Sequence, residues 1–203
     1  LAPNEACYIP LAHVDPNDAG DGDMFGADPP RQVRMKDAIK ALKPLLENDA
    51  VLKIGQNIKY DLNIFAQHGI QVAPIDDTML LSYVLNAGKH GHGMDLLSEK
   101  YLGHTPLSFK DVAGSGKSQV TFDRVALDKA TEYAAEDADV TLRLWQTFKP
   151  LLHTEKVTTV YETEERPLVP VLAAMEREGI QVDRDKLSRL SSDFSQRMAA
   201  LEA

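Results

Sequence analysis

The spacing of apolar residues predicts an α/β fold that becomes mostly helical toward its end. Short apolar runs at residues 6–13 and 51–55 predict strands; the first contains Pro10, which favours an edge or a strand end, and the second reaches Gly55 and predicts a buried strand. Residues 70–75 are interpreted as a further extended piece. Apolar positions three or four apart predict helices over 33–46, 57–68, 77–85, 94–102, 122–152, 157–177 and 183–203. This order indicates an α/β unit followed by a helical annex.

Local signals refine several helix ends. Asp77 and Thr78 have the side chains that cap a helix N-terminus, and Gly179 is typical of a helix stop. Pro167 and Pro170 are expected to bend the helix over 157–177.

The charge is acidic but unevenly distributed. There are 31 Asp and Glu against 22 Lys and Arg, a net charge of −9, and six of the acids lie in the first 30 residues, which hold no Lys or Arg. Residues 15–30, rich in Asp, Gly and Pro, are predicted to be an exposed loop. Residues 31–149 hold 15 basic and 15 acidic residues, which argues against a domain that grips nucleic acid by bulk charge. The single cysteine, Cys7, excludes an internal disulfide and a Cys-cluster zinc site.

Two polar pairs share one helical spacing. Asn57 and Asp61 are four residues apart, as are Tyr133 and Asp137, so each pair lies on one helix face. Two carboxylates that converge from separate helices could hold Mg²⁺ or Mn²⁺, which prefer oxygen ligands. The spacing alone also fits a plainer interpretation, in which each Asp is simply solvated. Two neighbouring acids lie off the second face and are interpreted as ordinary surface residues, Glu136 and Asp139.

Other candidate motifs are weaker. His90 and His92 lie in a Gly-rich loop, where loop packing is the default interpretation and phosphate contact the alternative. Gly116-Lys117-Ser118 has the ending of a phosphate-binding loop, but the first Gly of that motif would fall on Asp111. Nucleoside triphosphate binding through this segment is therefore not expected.

The residues around the two pairs resemble one family. Residues 51–69 resemble the second exonuclease motif of the proofreading domain of bacterial DNA polymerase I, and residues 131–144 resemble its third motif, Tyr-x-x-x-Asp. Residues 165–183 resemble the opening of the polymerase module that follows that domain. Three further stretches are similar to the same family: 77–85, 94–104 and 109–122. The resemblance covers nearly the whole chain.

This resemblance implies a ribonuclease H-like fold, with a mixed sheet flanked by helices, and 3′→5′ hydrolysis of DNA ends by two Mg²⁺ or Mn²⁺ ions. By resemblance, Asp137 is a direct metal ligand, Asp61 supports the second ion, and Tyr133 orients the attacking water. Four residues are expected to contact the terminal nucleotides, the last of them by stacking on or wedging beside a base: Gln56, Asn57, Tyr60 and Phe109.

One part of the family pattern is missing. The first motif, Asp-x-Glu on the first strand, occurs nowhere in the 203 residues. We therefore expect the first strand and most of the second to precede Leu1, and two of four metal-binding acids to be absent with them. This predicts a chain without useful nuclease activity, with exposed sheet edges that favour rearrangement, strand exchange or dimerisation. The expected organisation is a truncated exonuclease domain over 1–152 and a helical connector with the start of the polymerase module over 153–203.

The predicted partners are a single-stranded or frayed DNA 3′ end and a polymerase module in the same polypeptide, with no membrane. Two alternatives stay open: an RNA-trimming exonuclease of the ribonuclease D kind, and a catalytically silent scaffold for the polymerase module. The presence of Asp61, Tyr133 and Asp137 argues against silencing. The single Cys7 and the lack of an export signal favour a reducing bacterial cytoplasm, near the nucleoid.

Overall fold

Two short parallel strands lie among helices in the computed structural model, which describes residues 2–14 and 32–202. Strand β1 covers Lys53–Gly55 and strand β2 covers Ile75–Asp77, with Lys53 opposite Ile75 and Gly55 opposite Asp77. A helix connects the two strands, as parallel pairing requires. The resemblance implies a mixed sheet. The sheet in the described residues consists of these two parallel strands.

The helices fill the rest of the described chain. The α-helices are α1 (Met35–Leu46), α2 (Ile58–Gln67), α3 (Thr78–Asn86), α4 (Met94–Leu102), α5 (Phe109–Ala113), α6 (Leu127–Thr154), α7 (Thr158–Val160), α8 (Arg166–Glu178) and α9 (Arg184–Glu202). Short 3₁₀ turns cover Gly116–Ser118 and Phe122–Arg124, and a π-helix covers Tyr161–Glu165. No helix in the described residues combines the length and apolarity needed to cross a bilayer.

Most predicted elements are confirmed within a few residues. Helices α1 to α4 agree with the periodicity, and Asp77 caps α3 by accepting a hydrogen bond from the Met79 amide at 2.9 Å. The predicted strand over 51–55 exists, but it is half-buried rather than buried. The long helix begins at Leu127, five residues later than predicted, because a 3₁₀ turn occupies 122–124. The predicted loop over 15–30 lies outside the described residues.

The strand predicted over 6–13 is wrong. These residues join no sheet, and the Val14 amide instead donates to the Asp123 carbonyl at 3.0 Å, in the turn before α6. Pro10 has no N–H to offer a neighbouring strand. The apolar run therefore packs against side chains without forming a ladder: Tyr8 lies beside a buried cluster formed by Ala113, Val125 and Ala130.

The core has two main parts. The larger lies where α3, α4 and α6 meet, and Tyr161 of the π-helix completes it: Leu81, Leu97, Val140, Leu144, Phe148, Leu152 and Tyr161. The second joins α2 and β2 to α8: Ile58, Leu62, Ile75, Val169 and Ala173. The predicted domain boundary after residue 152 stays a prediction, but residues beyond it pack in both clusters.

Candidate active site

An open cleft of about 760 Å³ brings Asp61 and Asp137 to one surface. Residues of β1, α2, α6 and the N-terminal segment line it. Asp61 lies in the first turn of α2 and Asp137 near the middle of α6, so two separate helices each supply one carboxylate. The sequence singled out these two acids, and the fold places them in the same cleft.

A tight junction between β1 and α2 sets the start of the helix that carries Asp61. A Cβ added to Gly55 would lie 2.8 Å from Cγ1 of Ile58, so only glycine fits there without displacement. Asn57 has a left-handed backbone conformation, with φ of 57° and ψ of 44°. The Asp77 carboxylate accepts hydrogen bonds from the Asn57 and Ile58 amides, both at 3.0 Å. Asp77 therefore holds the start of α2 as well as capping α3, a role that the sequence did not reveal.

Both cleft carboxyls have raised pKa values. The Asp61 side chain is accessible at the cleft, but the surrounding protein removes part of its water and raises its pKa, and the nearby Asp77 adds to the effect. Burial raises the pKa of Asp137 to about 6, with further increases from Asp95 and Glu136, while the Tyr133 hydroxyl acts in the opposite direction. Within the described residues, the buried Oδ1 of Asp137 has no hydrogen-bond partner. An unsatisfied, partly desolvated carboxylate is costly, and a bound cation would relieve that cost.

Two aromatic rings pack against the Tyr133 ring. The Tyr133 ring meets Phe109 edge-on at 6.1 Å and Phe122 at 5.9 Å, and Phe109 stacks on Phe122 at 6.2 Å. Burial and the nearby Asp137 raise the pKa of Tyr133 to about 12, so it remains a neutral phenol near neutral pH. Phe122 is a supporting residue that the motif comparison did not single out, although its aromatic character within residues 109–122 was visible.

The residues predicted to contact nucleotides differ in how exposed their side chains are and in whether they already hydrogen-bond within the chain. Tyr60 is 66% exposed and Phe109 is 38% exposed, so both rings can meet a ligand. Gln56 is engaged inside the chain at both ends of its amide, since Nε2 donates to the His92 carbonyl at 2.8 Å and Oε1 accepts from Thr78 at 2.5 Å. Asn57 is exposed at the junction.

The loop histidines support the packing interpretation. His92 Nδ1 lies 2.9 Å from the Ser82 hydroxyl, and its ring meets Tyr83 edge-on at 5.5 Å. His90 Nε2 lies 3.0 Å from the Tyr101 hydroxyl. These contacts fasten the Gly-rich loop to α3 and α4.

The interpretation of Glu136 and Asp139 as ordinary surface acids is wrong. Glu136 accepts hydrogen bonds from the Leu107 amide at 2.7 Å and from His104 Nε2 at 2.8 Å. Asp139 accepts from the Asn4 amide at 2.6 Å. Both acids therefore bind distant segments to α6, and Glu136 anchors the stretch that leads to Phe109. Helical spacing could not reveal these partners because they are far away in sequence.

The prediction that Asp61 and Asp137 hold Mg²⁺ or Mn²⁺ is supported only in part. The unpartnered oxygen of Asp137 and the accessible carboxylate of Asp61 are ligands of the kind that Mg²⁺ and Mn²⁺ prefer. However, in residues 2–14 and 32–202 no three His, Cys, Asp or Glu side chains are grouped closely enough to hold a metal ion. The donor chemistry fits a divalent cation, but the described ligand set is incomplete.

Sequence comparisons point to a single family. A family model described as 3′-5′ exonuclease matches residues 22–153. A DNA polymerase I from Rhizobium leguminosarum is 57% identical over 200 residues, which cover 97% of this chain and 19% of that protein. A DNA polymerase I from Pseudomonas aeruginosa is 44% identical over 205 residues, covering 98% of this chain and 21% of that protein. The chain thus spans about a fifth of the length of these relatives.

Solved structures agree on the fold. One, described as the POL domain of Pol1 from M. smegmatis in complex with DNA primer-template and dNTP, has a TM-score of 0.65 at 21% identity and covers 83% of this chain and 26% of that one. Brucella melitensis NrnC has a TM-score of 0.57 at 20% identity and covers 68% of this chain and 64% of that one. At these identities the likeness concerns the fold alone, and with the family match it confirms the predicted ribonuclease H-like α/β class.

Proposed function

This chain belongs to the 3′-5′ exonuclease domain family of DNA polymerase A, and on that premise we propose that its cleft removes 3′-terminal nucleotides from DNA during proofreading. The observation that carries the proposal is that Asp61 and Asp137 line the same cleft, with the Tyr133 hydroxyl hydrogen-bonded to Asp137. DNA is favoured over RNA as the substrate because the relatives at 57% and 44% identity are both named DNA polymerase I.

Asp137 and Asp61 would hold Mg²⁺ or Mn²⁺ in this reaction. When bound, such ions supply an activated water and stabilise the charge that develops on the phosphate. Asp137 offers a carboxylate oxygen that no described side chain competes for. Tyr133 stays protonated because of its raised pKa, so its hydroxyl can donate to Asp137 or orient a water molecule. The packing of Tyr133 against Phe109 and Phe122 limits its ring motion.

The exposed rings provide the proposed contacts to a frayed DNA end. Phe109 and Tyr60 are both exposed, and contact between an aromatic ring and a base contributes about 1–3 kcal/mol. A polymerase module in the same polypeptide is the proposed neighbour of α9, which buries none of its residues and exposes Leu187, Leu190 and Phe194.

We further propose that the 203 residues alone degrade DNA poorly. No Asp-x-Glu motif occurs in the sequence, and no described third acid joins the two cleft carboxylates closely enough to form a metal site. Incubation with 5′-labelled single-stranded DNA and Mn²⁺ is expected to leave the DNA intact. Metal-dependent shortening that Asp137→Ala abolishes would contradict the proposed inactivity.

The function itself is tested in a longer polypeptide that joins these residues to an Asp-x-Glu strand. That polypeptide is a designed fusion in which a strand that carries Asp-x-Glu precedes Leu1. We expect Mg²⁺-dependent shortening from the 3′ end, which Asp137→Ala abolishes. Glu132→Gln, an exposed substitution on the same helix, should leave it unchanged. An active polypeptide that tolerates Asp137→Ala would refute the proposed site.

A further inference from the structure

A second buried carboxylate lies outside the cleft, on β2. Asp76 has no exposed surface, and it accepts hydrogen bonds from Trp145 Nε1 at 2.7 Å and from the Tyr161 hydroxyl at 3.0 Å. Lys149 Nζ lies 3.0 Å from its Oδ2, and an Arg166 guanidinium nitrogen lies 3.3 Å from its Oδ1. Burial alone would raise the pKa of Asp76, but Trp145, Lys149 and Tyr161 outweigh it and hold the pKa below its ordinary value. All four partners come from α6 or from residues after it.

The π-helix explains how two of these partners reach one oxygen atom. Tyr161 and Arg166 are five residues apart, and both contact Oδ1 of Asp76. In an α-helix, positions five apart point about 140° away from each other, because each residue turns the helix by about 100°. A π-turn pairs residue i with residue i+5. Here the Arg166 amide donates to the Tyr161 carbonyl, so the two side chains share a face.

The same contact reaches the start of α2. The Tyr161 hydroxyl accepts a hydrogen bond from the Asp77 amide at 3.0 Å, next to Asp76 in sequence. Neighbouring residues of a strand point to opposite faces. Asp76 therefore faces the later helices, while the Asp77 carboxylate holds the Asn57 and Ile58 amides at the first turn of α2. A continuous series of contacts joins the π-helix to the turn that carries Asp61.

A second set of contacts holds α2 to α8. Glu176 pairs with Lys59 and accepts a hydrogen bond from Asn63 Nδ2 at 2.8 Å, while Arg177 donates to Asn63 Oδ1 at 2.9 Å. This set is more exposed than Asp76, and exposed ion pairs contribute little to stability. The contacts of Asp76 are therefore the buried polar link between these parts of the chain, beside the apolar cluster in which Ile58 and Leu62 of α2 pack with Val169 and Ala173 of α8.

We propose that Asp76, together with Tyr161 and Arg166 of the π-helix and its end, forms a buried latch. This latch fixes the position of the start of α2, and with it Asp61, relative to α8. Asp76 is then a positioning residue that acts through Tyr161 and Asp77 and touches no substrate. Its consequence for catalysis rests on the proposed function, but the latch itself does not.

The test uses hydrogen exchange of backbone amides in the full 203-residue chain, without DNA or metal. In Asp76→Asn and Tyr161→Phe, we expect exchange at residues 57–61 to accelerate at least about tenfold more than exchange in α4. The reason is that Tyr161 leads through Asp77 to the start of α2, whereas the hydrogen bonds of Asp76 and Tyr161 go to residues outside α4. Glu164→Gln, an exposed substitution on the same π-helix, should match the unmodified chain.

The alternative is that Asp76 contributes only to overall stability. In that case protection falls together in α2 and α4, or stays unchanged at residues 57–61, and either result overturns the proposal. If Asp76→Asn fails to fold, Tyr161→Phe tests the same expected increase in exchange at residues 57–61. Deletion of the exposed Thr163, which converts the π-turn toward an α-turn, should give the same increase. A negative nuclease assay leaves this measurement unaffected, so failures of the two proposals are distinguishable.

Discussion

Replacing Asp137 by asparagine is expected to stabilise the folded chain near neutral pH. Its carboxyl is partly buried, one of its oxygens has no partner among the described residues, and two further acids lie near it. An amide of the same shape keeps the packing and removes the charge. Tyr133 can still donate to its oxygen. The residue that the proposed chemistry needs most is thus a cost to the fold.

The magnitude follows from the pKa. The Asp137 carboxyl titrates at about 6 rather than its ordinary 3.8. One pH unit corresponds to about 1.36 kcal/mol, so the shift sets an upper limit of about 3 kcal/mol on the extra cost of ionising Asp137 in the folded chain, and solvent screening of this partly exposed carboxyl lowers it. Because the pKa of Asp137 is raised in the folded chain, its carboxyl costs no stability below a pH of about 4. The cost of ionising it grows as the pH rises from about 4 to about 6 and is then constant. The stability advantage of Asp137→Asn should therefore be absent in acid and reach its full value, about 1–3 kcal/mol after solvent screening, above a pH of about 7.

The assay is urea unfolding in EDTA between about pH 4 and pH 8, followed by the fluorescence of the single tryptophan, Trp145. Glu132→Gln removes an exposed acid from the same helix and serves as the matched control. A stability difference for Asp137→Asn that does not change with pH, or a loss of stability at pH 7, would refute the reasoning.

Four further outcomes are expected. Gly55→Ala should destabilise the chain by about 1–3 kcal/mol in thermal unfolding, because the new Cβ would lie 2.8 Å from Ile58; an unchanged transition would contradict this packing. Leu144→Ala, at a fully buried position, should cost about 2–5 kcal/mol, whereas Leu187→Ala on exposed α9 should change stability by less than about 0.5 kcal/mol. Asp76→Asn should lose stability at neutral pH, with the loss shrinking as the pH falls through the lowered pKa of Asp76. If sheet edges pair between chains by strand exchange or dimerisation, as the absent Asp-x-Glu strand predicts, light scattering should detect self-association, and a monomer at all concentrations would contradict that expectation.

Much of the secondary structure was predictable because its causes are local. Apolar residues at helical spacing identified α1 to α4, and the Asp77 side chain caps α3 as its sequence position indicated. The strand predicted over 6–13 failed because a strand requires a partner, and an apolar run does not specify one. The late start of α6 has a similar cause, since the 3₁₀ turn at residues 122–124 places Phe122 against the distant rings of Phe109 and Tyr133.

The sequence by itself determined the family, the helix faces and the two pairs that carry Asp61 and Asp137, because motif spacing is a property of neighbouring residues. Only the tertiary structure decided that these acids share a cleft and that an oxygen of Asp137 lacks a partner among the described residues. It also decided that Asp76 is satisfied by donors 69 to 90 residues away. The physical reason is that desolvation and charge pairing depend on which distant side chains the fold brings together, and no local pattern encodes that proximity.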